Sequence, residues 1–282
     1  MRPDARKSLE QLRRDWDSCV ACRLGIQRHQ YNGRLVHGEG VRRGILIVCD
    51  GPGKAEDETG RPLMDEAGGL VRRIFTGLGF SDFYLTHLVA CRSCEQRLDA
   101  NQQPMFRSQR GKGPPIPMMQ DMPPTPKEWK ECLPRLHEEI YLVDPVLIMS
   151  LGNTATEALI GKPLTITRDR GTARTITIPG AGFDAVLTDK KKEWYHKVRG
   201  EVVAPVTQAE VEYLLIPTLH PAYVLKKVAD KGHDSPFRKL VEDIRKAVKV
   251  YEQYLQEVFH MTPTGASDVE WDEVDHLYRE EQ

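Results

Sequence analysis

Apolar residues recur along this chain in two rhythms. Three short stretches are almost unbroken: Ile45 to Cys49 behind Gly44, Pro145 to Leu151, and Tyr213 to Pro217. Phe83 to Ala90 is a fourth candidate of the same kind. Short apolar runs without alternation predict strands buried on both faces. Other stretches repeat apolar residues at helical spacing. Residues 4–17 do so through Leu9, Leu12 and Trp16, and Ala67 to Leu78 and Phe237 to Val258 follow the same rule. Thr125-Pro126-Lys127-Glu128 reads as a helix N-cap with proline in the first turn, ahead of Cys132, Leu136 and Ile140. Gly152-Asn153-Thr154 turns the third strand into a helix, Ala155 to Ile160. Strands alternating with helices predict a mainly parallel sheet covered by helices on both faces. Sites in such sheets form at the carboxyl ends of strands, where Asp50, His87 and His220 all fall.

Two regions break the rhythm. Residues 95–126 are rich in Gln, Pro, Met and Arg, with Pro114-Pro115 and Pro123-Pro124, and read as a long loop. Residues 171–216 hold short β-prone runs separated by Gly, Pro and Lys. Cys19 to Leu24 reads as a ligand-bearing turn. The 282 residues, 40% of them hydrophobic, suffice for one large α/β domain with insertions. A net charge of −1 carries no global attraction to nucleic acid. The charge is unevenly spread. Residues 1–44 hold ten Lys or Arg against five Asp or Glu, whereas 263–282 are acidic with Arg279 the sole Lys or Arg, as in a solvated, disordered tail. No apolar run approaches the roughly 20 residues of a membrane span, and Met1 to Arg14 lacks the apolar core of a signal peptide. A cytoplasmic protein with no membrane contact is expected. In that compartment six cysteines are ligands, reactive thiols or buried apolar fillers rather than disulfides.

Three groups of residues carry candidate chemistry. Cys19-Val-Ala-Cys22 and Cys91-Arg-Ser-Cys94 are two C-x2-C pairs, each suited to placing two thiolates on one metal or cluster. The gap between them far exceeds the roughly 15–20 residues of a compact zinc ribbon, whereas a four-cysteine iron–sulfur cluster tolerates long gaps. The second group, Asp50-Gly51-Pro52-Gly53-Lys54-Ala55-Glu56-Asp57, follows the first strand. Its glycines let the backbone approach a ligand closely. Lys54 is not followed by Ser or Thr, and the glycine spacing is wrong for a phosphate loop. Asp50, Glu56 and Asp57 offer carboxylates that orient water or stabilise a cationic sugar; a tight turn with solvated acids is the plainer reading of that loop taken alone. The third group is His220-Pro221, where proline holds the histidine in extended geometry, aimed into a cleft or serving the structure.

Taken together and in this order, these pieces resemble the family 4 uracil-DNA glycosylases, the iron–sulfur members of the uracil-DNA glycosylase superfamily. That family runs C-x2-C, a strand, G-E-x-P-G-x-x-E-D-x-x-G-x-P-F, a strand ending in Asn and C-R-P, a helix Cys, a strand with L-G-x-x-A, and H-P-S. Here the corresponding residues are Cys19 and Cys22, then Cys49-Asp50-Gly51-Pro52-Gly53 with Glu56-Asp57, Gly60-Arg61-Pro62-Leu63 and Ala67-Gly68. Thr86-His87-Leu88-Val89-Ala90-Cys91-Arg92, Glu131-Cys132, Leu151-Gly152-Asn153-Thr154-Ala155 and Thr218-Leu219-His220-Pro221-Ala222 follow. The match covers roughly residues 15–245.

The resemblance implies a three-layer α/β/α sandwich around a mostly parallel four-stranded sheet. The domain would span residues 1–262, with two long insertions at about 95–126 and 171–210. It implies a [4Fe–4S] cluster on Cys19, Cys22, Cys91 and Cys132, with Cys94 a spare thiol or an alternative ligand. It implies an enzyme, expected to be a monomer, that binds DNA, flips out a base and hydrolyses its N-glycosidic bond. Asp50, His220 and Glu56 are the candidates for catalysis. Gly51, Gly53, Leu63 and His87 are the candidates for contact with the base. The departures lie in that base pocket: Leu63 for the stacking Phe, His87 for the reading Asn, Cys49-Asp50 for G-E, and Met64-Asp65 for V-G. A histidine cannot reproduce the paired donor and acceptor of an amide, and losing a stacked ring costs about 1–3 kcal/mol of base binding. A modified or bulky pyrimidine, such as those of phage DNA, is therefore the expected substrate. A conventional uracil enzyme, and a DNA-binding protein that kept the fold but lost catalysis, are the alternatives. Arg97, Arg107, Arg110 and Lys112 in the first insertion are candidates for phosphate contact or plain solvated charge.

Overall fold

The computed structural model describes residues 8–108, 114–179, 210–227, 230, 232 and 234–268. Helices α1 (Leu9–Asp17) and α2 (Arg23–Gln30) precede strands β1 (Glu39–Gly40) and β2 (Ile45–Cys49). Helices α3 (Lys54–Thr59) and α4 (Glu66–Gly77) lead to β3 (Phe83–His87). The short strands β4 (Cys94–Gln96), β5 (Phe106–Arg107), β6 (Ile116–Pro117) and β7 (Met119–Asp121) come next. Then follow α5 (Pro126–Val143), β8 (Leu147–Leu151), α6 (Asn153–Ile160), α7 (Ile166–Asp169) and β9 (Arg174–Pro179). β10 (Glu210–Thr218), α8 (Pro221–Lys226) and α9 (Pro236–Phe259) come after them.

The central sheet has the order β1-β3-β2-β8-β10-β9. Its four middle strands are parallel and are the four that the sequence predicts. Two antiparallel edges, β1 on β3 and β9 on β10, enlarge it to six strands. β1 has two residues, and β9 alternates in burial, so neither leaves the unbroken apolar run of a central strand.

All five residues of β2 are buried because both faces of the sheet are covered. Ile45 and Ile47 face one apolar layer, packed with Leu70 and Ile74 of α4 and Leu240 and Ile244 of α9. Leu46 and Val48 face the other, packed with Leu136 and Ile140 of α5 and Ala155 and Leu159 of α6. The chain leaves β2 through α4 toward β3, and leaves β8 toward β10 on the opposite side. That reversal opens a crevice at the carboxyl ends of β2 and β8, the usual place for a site in such a sheet.

The structure departs from the sequence expectation in three places. Cys19 to Leu24 is not only a turn: Cys22 is the N-cap of α2. The first insertion is not a loop; β4 pairs with β7 and β5 with β6 as two ribbons, whose strands of two or three residues are too short to show a period. Order also runs past residue 262. Glu252 accepts hydrogen bonds from the Thr264 hydroxyl, the Ala266 N–H and the Ser267 hydroxyl, and so holds the start of the acidic tail on α9. Residues 269–282, residues 180–209 of the second insertion, and Arg110 and Lys112 lie outside the described residues.

Candidate active site and cysteine pocket

Asp50 is the first residue beyond β2. Its Oδ1 accepts the backbone N–H of Ala155 at 2.9 Å, and the Thr154 hydroxyl also donates to it. Both donors belong to the first turn of α6, whose positive end favours a carboxylate. Burial raises the Asp50 pKa above the usual range, opposed by His220 and by the two α6 donors. The sheet thus brings Asp50 and His220 together from strands that are not neighbours in sequence.

His220 caps α8, with Pro221 in its first turn. Its Nδ1 accepts the Ala222 N–H at 3.2 Å. In the neutral ring the proton therefore sits on Nε2, leaving that nitrogen as a donor. Nε2 lies 3.4 Å from the Sγ of buried Cys49. Gly152 packs beneath the ring at φ +92°, and a Cβ there would stand 3.0 Å from the imidazole, so only glycine fits without displacing His220.

Glu56 is placed differently from Asp50. It is buried, and its carboxylate accepts the N–H groups of Gly53 at 2.9 Å, Met64 at 2.6 Å and Asp65 at 2.8 Å. It thereby clamps the Gly53 turn to the segment carrying Leu63. Leu63 has φ +53°, a strained conformation for a branched side chain. Gly68 makes room for it: a Cβ there would fall 2.3 Å from the Leu63 carbonyl oxygen. Arg72 Nε donates to the same carbonyl at 3.2 Å. Leu63 is buried within the layer that also holds Cys49 and Leu219.

His87 ends β3, in register with Cys49 on β2. It is buried, and burial, reinforced by the nearby Arg135 charge, lowers its pKa to about 3. The ring is neutral at ordinary pH, and its buried Nδ1 has no hydrogen-bond partner among the described residues. Gly51 approaches the chain after β3 so closely that a Cβ would stand 2.8 Å from a Val89 methyl. Gly53 caps α3 and lies against Asp121 of the inserted ribbon, whose Oδ2 accepts the Lys54 N–H at 3.3 Å. Sequence reading missed Cys49 as the neighbour of His220, Thr154 and Ala155 as the donors to Asp50, and Asp121. The first three are within the quoted motifs, but only the fold brings them together.

Cys19, Cys22, Cys91 and Cys132 line one cavity, with Trp16, Leu24, Val89 and Arg135 in its wall. Burial raises the Cys22 pKa, opposed by the N–H groups of Gly25 and Leu24, which favour a thiolate. Burial pushes Cys91 up to about 12, opposed by Arg28. Among the described residues no three His, Cys, Asp or Glu side chains stand close enough to hold a metal ion. The donor set fits a larger anionic group. Four thiols come from three separate segments, and the buried Nε of Arg135, in the same wall, has no hydrogen-bond partner among the described residues. Cys94 belongs elsewhere: it lines a separate cavity with Tyr31, Asp57, Arg92 and Met119.

A carboxylate, a histidine and a helix N-terminus meeting at the switch point of a parallel sheet define an α/β enzyme site rather than a binding scaffold alone. Residues 37–245 match the sequence model of the uracil DNA glycosylase superfamily, and the chain belongs to that family of DNA N-glycosylases. Three curated relatives, each named a Type-4 uracil-DNA glycosylase, are similar over most of their length. The protein of Thermotoga maritima is 29% identical over 81% of this chain and 87% of the relative. That of Pyrobaculum aerophilum is 27% identical over 79% and 88%, and that of Sulfurisphaera tokodaii 24% over 86% and 84%. No helix among the described residues is long and apolar enough to cross a membrane.

Proposed function

We propose that this protein flips a modified or bulky pyrimidine out of DNA and hydrolyses its N-glycosidic bond, leaving an abasic site. The observation that carries the catalytic part is the meeting of Asp50 and His220 at the crevice between β2 and β8. As the bond breaks, positive charge builds on the sugar and negative charge on the leaving base. Asp50, oriented by Ala155 and Thr154, stabilises the cationic sugar and orients the attacking water. His220, held as the Nε2–H tautomer by Ala222, donates to a base oxygen as charge develops there. Glu56 has its carboxylate occupied by three backbone N–H groups, so its role is to hold Gly53 and Leu63 in place. Gly51 and Gly53 let the backbone approach the base or its phosphate.

The substrate part rests on His87. A neutral imidazole with an unmet Nδ1 stands where the family resemblance places an amide, and it offers one donor and one acceptor in a geometry unlike that of Asn. Cys19, Cys22, Cys91 and Cys132 would hold the [4Fe–4S] cluster. When bound, that group ties the α2 cap, the segment after β3 and helix α5 into one unit. The domain is taken as residues 1–262 with its two insertions, extended by the start of the tail that Glu252 holds, and its partner as DNA bound by one copy of the chain. The test is base release from DNAs carrying uracil, thymine, cytosine, 5-hydroxymethyl pyrimidines or glucosylated hydroxymethylcytosine. Release of a modified base ahead of uracil is expected. Preference for uracil would instead assign the activity named for the relatives, and release from none would leave a DNA-binding protein.

A further inference from the structure

Arg135 is a buried charged group that the chemistry above leaves unused. Arg135 lies on α5 one turn beyond Cys132, and its side chain is 2% exposed. Its Nη1 donates to Glu139 Oε2 at 2.7 Å. Glu139 also accepts the Thr86 hydroxyl at 2.6 Å, the Tyr84 hydroxyl at 3.0 Å and the Gly38 N–H at 3.1 Å. The pair is therefore anchored from several sides. Arg135 Nη2 donates to the carbonyl oxygens of His87 and Leu88, the latter at 3.2 Å.

Those two carbonyls belong to peptide units that are gripped again from the opposite side. The Leu88 N–H donates to the Cys49 carbonyl at 2.7 Å, and the Val89 N–H to the Asp50 carbonyl at 3.2 Å. A continuous path thus runs from the guanidinium through peptides 87–88 and 88–89 to the backbone of the Asp50 turn. At its other end Arg135 lines the cavity of the four cysteines and interacts with Cys132, and its buried Nε has no hydrogen-bond partner among the described residues. A buried N–H without an acceptor is costly, and an anionic sulfur group in that cavity would supply the acceptor.

We infer that Arg135 is a positioning residue that links the cysteine cavity to the base site. A group held by Cys19, Cys22, Cys91 and Cys132 fixes the guanidinium. The guanidinium fixes the peptides from which His87 and the Asp50 turn take their place. The inference rests on the glycosylase reading and on a cluster at those four cysteines. Lysine is the discriminating change: it keeps the charge beside Glu139 but lacks the planar fork that spans two carbonyls and presents Nε.

The experiment compares Arg135→Lys with the wild type, both loaded with iron and sulfide. It measures iron per chain, the reduction potential of the cluster, amide hydrogen exchange across residues 86–90, and base release. Iron content is expected to stay near the wild-type value. The potential should become more negative, because a hydrogen-bond donor to sulfur is lost. Exchange at Leu88 and Val89 should quicken about tenfold or more. kcat should fall roughly 10–100-fold, as for partners behind a ligand shell, with KM little changed. An unchanged potential together with unchanged exchange overturns the link, and so does a change in one without the other. If Arg135→Lys does not fold, Arg135→Gln combined with Glu139→Gln leaves no lone buried charge and is read in the same way. Exchange does not depend on catalysis. A wild type that releases no base would therefore defeat the glycosylase reading while the exchange result still decides the link.

Discussion

The cysteine pocket and the Asp50 crevice lie on either side of the same two peptide units, yet they are built in opposite ways. The pocket has apolar walls, four thiols, and one guanidinium nitrogen, Arg135 Nε, without an acceptor among the described residues. The crevice has its main polar groups already met: Glu56 by three backbone N–H groups, Asp50 by α6, His220 Nδ1 by Ala222. A buried donor without an acceptor is rare in a folded protein and calls for an explanation. A crevice with its donors and acceptors already oriented is preorganised and waits only for a substrate. Within the crevice one atom breaks that rule, His87 Nδ1, and it lies where substrate selectivity is assigned.

The comparison breaks most visibly at Asp50. Asp50→Asn should cut base release by roughly 10²–10⁴-fold while the melting temperature holds or rises, because the replaced carboxylate is one whose charge burial disfavours. Single-turnover release and a thermal melt on the same sample check both halves; a large loss of stability would place Asp50 in the frame instead. Glu56→Gln should do the reverse. It leaves one of the three backbone N–H groups facing a donor, so stability should fall by about 1–3 kcal/mol, read as a lower urea midpoint.

His87 gives the third test, in pH. Its folded pKa is about 3 against 6.5 for the free group, so between those values the unfolded chain binds a proton that the folded chain does not. Stability from this source is present above pH 6.5 and is lost as pH falls toward 3, by up to about 1.4 kcal/mol per pH unit. Urea unfolding at pH 7 and pH 5 should show the loss, and His87→Asn should flatten it. The smallest effect is expected at Thr154. Its hydroxyl lowers the raised Asp50 pKa, so Thr154→Val should move the acid limb of the release profile to higher pH. A shift to lower pH would contradict the assignment of that limb to Asp50.

Much of this was legible in the chain. The four parallel strands were visible because each is buried on both faces and so reads as an apolar run, and α5 because Thr125 and Glu128 form a capping box. Asp50, His87 and His220 were legible as strand-end residues. β9 was legible only as one of several β-prone runs, and β1 and the inserted ribbons were not, since strands of two or three residues are too short to show a period.

The sequence by itself determined the fold class, the four thiols and the strand-end polar residues, because burial period, capping and motif spacing are local properties. Tertiary structure alone decided how each carboxylate is held. Asp50 and Glu56 look alike in the chain, and only the arrival of the 64–65 backbone at Glu56 and of α6 and His220 at Asp50 gives them different work. It also decided that Arg135, indistinguishable in sequence from a solvated helix residue, is buried between two sites, since long-range packing alone strips a charge of water and supplies its partners.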